Sequence, residues 1–86
     1  MKTNTKVKLM SFLGRQSAEQ EIHAENDYWK LIGETGVVLG ETRNAYGRLL
    51  ILFDNDLDRF GVANHNAVRN SLWIVPEDLE IVDDND

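Results

Sequence analysis

The residues best equipped for chemistry are the carboxylates of Asp54-Asn55-Asp56-Leu57-Asp58. Three acids at alternate positions are the raw material of a hard-cation site, because calcium takes several oxygen ligands. The spacing fails the calcium-loop pattern, however: counting from Asp54, the sixth position is Arg59 where glycine is needed, and the twelfth is His65 where glutamate is needed. The segment is therefore read as a solvated turn in which Asp and Asn bond their own backbone. His23 and His65 are the two histidines, and none of Ser11, Ser17 and Ser71 sits in a nucleophile context that either could serve. Gly33 and Gly36 are followed by neither the lysine nor the helix that phosphate cradling requires, so they are expected to serve turns. The sequence assigns no catalytic residue, no metal ligand and no cofactor.

The aromatic residues point to binding instead. Tyr28 and Trp29 are adjacent, and in an extended segment they would face opposite ways, one buried and one offered to a partner. The candidate partner-binding set is Tyr28, Trp29, Asp54, Asp56, Asp58, Phe60 and His65.

The elements that must position this set are short and punctuated by glycine. Lys6 to Phe12 alternates as a strand with Val7, Leu9 and Ser11 on one face. A long polar loop follows, in which Ser17 and Gln20 resemble a capping box without enough apolar residues to bury a helix. Strands are then predicted at Gly36 to Gly40, Arg48 to Phe53, Leu72 to Val75 and Leu79 to Val82, with a turn at Thr42 to Gly47. Pro76-Glu77-Asp78 suits one helical turn before the last strand. In the strongest strand Leu49, Ile51 and Phe53 face one way and Leu50 and Leu52 the other, so an apolar outer face needs the N-terminal segment or a partner to cover it. A second copy on that face would give a symmetric homodimer. The charged tail Asp83 to Asp86 is expected to fray.

Eighty-six residues form one domain, 1–86, with an ordered core over about 5–82. A chain of this size buries roughly 60% of its unfolded surface, which leaves little interior for a deep cavity. It contains no cysteine, which excludes disulfides and thiolate sites and points to a reducing compartment such as the cytoplasm. No run approaches the roughly 20 apolar residues that span a bilayer. The net charge of −6 is uneven: residues 1–48 carry +1 and residues 49–86 carry −7. That acidic half repels phosphate backbones and disfavours nucleic acid.

The stretches LIGETGVVLGE, RLLILFD and SLWIVPEDLEIV resemble, in order and spacing, the Src-homology-3-like small barrel, a fold shared by Tudor-like and KOW-type modules. The resemblance implies an all-β, five-stranded SH3-like barrel with a long first loop and one helical turn before the last strand. YWKLIG, LWI and DLE also resemble a pattern of small bacterial proteins, which implies a bacterial source. The chain departs from peptide-binding members in lacking adjacent tryptophans, and from RNA-binding KOW-type members in being acidic. Since fold does not fix function, the expectation is a small non-catalytic module that contacts another protein. One alternative is an immunity- or antitoxin-type inhibitor whose acids at 54, 56, 58, 77, 78 and 80 mimic nucleic acid before a basic enzyme. Another is a KOW-like nucleic-acid binder using Lys2, Lys6 and Lys8.

Overall fold

The computed structural model describes residues 2–18, 21–40 and 46–82. Its strands are β1 (Lys6–Leu9), β2 (Thr35–Val38), β3 (Leu49–Phe53), β4 (Ser71–Ile74) and β5 (Leu79–Ile81). Short 3-10 turns at Ala24–Asn26, Tyr28–Leu31, Leu57–Phe60 and Pro76–Asp78 lie in the connections. All pairings are antiparallel, and the sheet order is β4-β3-β2-β1-β5. The expected turn at Thr42 to Gly47 and the tail Asp83 to Asp86 fall wholly or mostly outside the described residues, as does Gln20. Among the described residues no helix is long and apolar enough to cross a membrane.

Alternation builds the core. Leu49, Ile51 and Phe53 of β3 are buried, and the register sets them beside Val38 of β2 and beside Leu72 and Ile74 of β4. Val7 and Leu9 of β1 complete this face. Leu31, Leu57 and Val62, supplied by the connections outside the sheet, belong to the same buried cluster. Each such side chain contributes about 1.5–3 kcal/mol relative to exposure. On the other face the register pairs Leu50 with Trp73 and Val37 with Leu52. These four are half-buried, so cross-strand contact already shields part of the outer apolar surface.

Closure into a barrel was expected; the sheet is open, with β4 and β5 at its edges and unpaired with each other. Side-chain and turn bonds gather at the ends of β4. The Ser71 carbonyl accepts the Asn66 side-chain amide at 2.7 Å, and the Val75 carbonyl accepts the Asp78 N–H at 2.9 Å. These bonds cap the two ends of β4, at its first residue and just beyond its last. β1 also stops sooner than Phe12. Its ladder with β2 ends at Leu9, which bonds Glu34 and Gly33, and Met10 turns to the Asp78 carbonyl instead.

Gly36 of β2 faces the β3 backbone opposite Phe53. A Cβ there would sit 2.4 Å from the Leu52 carbonyl oxygen, a backbone atom that cannot move without breaking the ladder. Gly36→Ala is expected to destabilise the fold by about 3 kcal/mol, the upper end for overpacking, measured by urea denaturation; an unchanged midpoint would contradict this packing.

Candidate binding surface

The connection from β1 to β2 carries the densest set of unusual features. Phe12 and Arg15 bond each other twice, N–H to carbonyl, at 2.8 and 3.1 Å, around a two-residue tip of Leu13 and Gly14. Both tip residues have positive φ, 53° and 76°, the pattern of a type I′ turn. That turn favours Asn-Gly, and leucine is strained in it because its Cβ crowds the following carbonyl.

Asp78 holds the tip in place. It is 2% exposed, and its carboxylate accepts the Ser11 hydroxyl at 2.5 Å, the Leu13 N–H at 3.0 Å and the Gly14 N–H at 3.1 Å. Successive N–H groups of a tight turn form a concavity suited to an anion. The main chain of Asp78 adds two bonds, its N–H to the Val75 carbonyl and its carbonyl from the Met10 N–H at 2.8 Å. A buried carboxylate is tolerated only when its oxygens are satisfied, and here the turn before β5 and the first loop satisfy each other. The proposed mimicry of nucleic acid by Asp78 is thereby corrected: its charge faces inward.

Above this frame sit the aromatics. Tyr28 and Trp29 lie on a 3-10 turn, not in an extended segment, so they do not take opposite faces; both are half-buried and both meet Phe12. The Phe12 and Trp29 rings stand edge to face at 4.9 Å, and the Arg15 guanidinium lies 5.7 Å from the Trp29 ring centre. The Trp29 indole N–H is buried with no acceptor. The Tyr28 hydroxyl donates to the Ala63 carbonyl at 2.8 Å, and burial followed by the Glu25 charge raises its pKa above 10.0. Met10, Leu13 and Ile22, three of the exposed large apolar side chains, all belong to this connection.

The acidic loop after β3 is a different kind of place. Asp54 pairs with Lys6 and accepts the Thr35 hydroxyl at 2.5 Å. Those bonds, Lys6 first, hold its carboxyl below 3.8. Asp56 accepts the Asn70 amide at 2.8 Å; Asp58 takes Arg69 and the Asn64 amide. Asn70, with φ of 66°, also accepts the Leu57 N–H and accounts for much of the loop's shape. The three carboxylates thus serve separate partners, and among the described residues no group of three potential ligands could hold a metal. Phe60 is half-buried against the core, while His65 is exposed. Tyr28 reaches this segment through Ala63, and Lys30 reaches the Phe60 carbonyl at 3.2 Å. The sequence-derived set therefore divides: Trp29 joins the Phe12–Arg15 hairpin, Tyr28 bonds Ala63 on the segment that also carries Phe60, Asp54 ties the end of β3 to β1 and β2, and Asp56 and Asp58 brace their own loop. The depression beside Glu21, Ile22 and His23 is open to solvent. The chain matches no protein-family model, no curated protein and no solved structure.

Asp78 and Leu13 were not singled out from the sequence as site residues; the available signal was Ser11 on the inward face of a strand with no apolar reason to be there. Asp78→Asn places an amide N–H group against donors and is expected to cost about 2 kcal/mol, a Tm fall of roughly 10 °C. An unchanged Tm would contradict the clamp. Because the Asp54 pKa is depressed on folding, its contribution is complete above pH 3.8 and fades as pH falls through the folded-state value. The pair is largely exposed, so Asp54→Asn should cost about 0–1 kcal/mol at pH 7 and less once the pH has fallen below 3.8, read from melts across that range; a loss that grows as pH falls would contradict the ion pair.

Proposed function

We propose that this chain is a small non-catalytic module that binds another protein, built on an SH3-like order of five antiparallel strands in an open sheet. The antiparallel order β4-β3-β2-β1-β5, the long β1–β2 connection and the 3-10 turn joining β4 to β5 support the fold assignment. The observation that carries the functional reading is the β1–β2 connection itself. It holds Phe12, Arg15 and Trp29 in contact and leaves Met10, Leu13 and Ile22 exposed on a frame fixed by Asp78. Aromatic and arginine side chains on a rigid support are the composition of binding hot spots. The acidic second half, in which Asp54 pairs with Lys6 while Asp56 and Asp58 bond residues 64–70, speaks against phosphate backbones as the partner.

The test is affinity capture from the source cells with the natural chain and with Met10→Glu, an exposed position outside the core. A stoichiometric protein partner, retained by the natural chain and lost by the variant, is expected. Recovery of RNA, or of the same partners by both chains, would contradict this reading.

A further inference from the structure

We propose that the open edge of β5 takes up an extended segment of a partner protein as an added strand, one in which apolar residues alternate with lysine or arginine. This surface adds to the binding module and does not rest on the β1–β2 connection. The ladder shows which backbone groups are on offer. β5 is the last strand of the sheet and pairs with β1 on one side. Met10 donates its N–H to the Asp78 carbonyl, and Val82 donates its N–H to the Lys6 carbonyl, so the even-numbered residues turn their backbone groups towards β1. Antiparallel strands alternate in this respect, so Leu79 and Ile81 turn theirs away from β1. The Leu79 N–H is taken by the Pro76 carbonyl. That leaves the Leu79 carbonyl and both backbone groups of Ile81 on the edge, and among the described residues no further strand pairs with them.

Side chains add an apolar contact and a charge. Ile81 stands opposite Val7 on the face that carries the core, yet Val7 is 1% exposed and Ile81 58%. The core face therefore runs past its own cover at this edge, and an apolar side chain on a neighbouring strand would shield Ile81. Glu80 is exposed on the other face, and Glu77 is exposed in the turn before the strand. From Ser71 to Asp86 the sequence contains no lysine or arginine. Charge thus selects the occupant. A second copy paired edge to edge would set these acids against themselves, whereas a basic strand is attracted by them. The fold already holds one such strand: β1, with the sequence Lys6-Val7-Lys8-Leu9, pairs with the other side of β5 and sets Lys8 opposite Glu80. An added strand of the same alternation would repeat that arrangement on the open side. The β4 edge is the poorer host, because the Ser71 and Val75 carbonyls already accept bonds from Asn66 and Asp78.

The test titrates the natural chain with an acetylated, amidated hexapeptide of alternating lysine and valine, followed by amide hydrogen exchange. Two control peptides carry glutamate in place of lysine, or a methyl group on each valine nitrogen, the N–H that would face Ile81. The lysine–valine peptide is expected to bind and to slow exchange of the Ile81 amide by about tenfold, and neither control should do so. Ile81→Pro removes the edge N–H without touching a bond to β1, and should weaken binding by about tenfold. Glu80→Gln keeps the strand intact and should weaken it by about threefold. Sedimentation of the free chain is expected to give a monomer. Failure of the peptide to bind, equal binding of either control, or protection at Trp73 in place of Ile81 would overturn the proposal. So would a dimer of the free chain in which the Ile81 amide is already protected, since a second copy would then hold the edge. Each of these results leaves the reading of the β1–β2 connection to its own test with Met10→Glu.

Discussion

One buried carboxylate organises the part of this molecule that is not sheet. Asp78 closes the 3-10 turn between β4 and β5 with its N–H, continues the β1–β5 ladder with its carbonyl, and fixes the Phe12–Arg15 hairpin with its side chain. A charge taken out of water must recover its hydration from fixed donors, and the donors come from residues 11, 13 and 14, more than sixty positions earlier. The last strand and the first loop are thereby folded as one unit. A connection that composition alone would leave mobile becomes a rigid frame, and the aromatic contacts of Phe12 with Tyr28 and Trp29 can rest on it.

The connection from β3 to β4, at the same end of the strands as the β1–β2 connection, solves a similar problem with amides. The segment from Asp54 to Asn70 has little apolar content beyond Leu57, Phe60 and Val62, so its backbone groups need side-chain partners. Asn64, Asn66 and Asn70 supply them, each bonding a strand end or a carboxylate. Of the aspartates that looked like a ligand cluster, Asp56 and Asp58 hold this network, while Asp54 bonds Lys6 and Thr35 across the sheet. Structure and charge are spent locally there, which leaves the β1–β2 connection as the place where side chains exceed what folding needs.

Much of the sheet was legible from the sequence. The alternation of Leu49 to Phe53 gave the inward and outward faces correctly, and Pro76 marked the turn before β5 because proline suits a first helical position. Strand ends were less legible: β1 stops at Leu9, where β2 has no further partner to offer, and the alternation through Phe12 carries no trace of that. Tyr28-Trp29 read as extended because aromatic neighbours favour strands, yet tertiary packing of Leu31 into the core draws the segment into a 3-10 turn. Leu13-Gly14 could not be recognised as a type I′ tip, since leucine is a poor residue for it and the stabilising carboxylate lies far along the chain. Asp78 read as surface charge for the same reason: its donors are backbone groups, which leave no mark in composition.

The Asp78 carboxylate holds the hairpin tip as firmly as a strand is held. Native-state hydrogen exchange of the unmodified chain tests it most directly. The Leu13 and Gly14 amides should exchange as slowly as those of Val7 and Leu9, through opening of the whole domain. Exchange of those two amides at the rate of freely solvated loop residues would contradict the account.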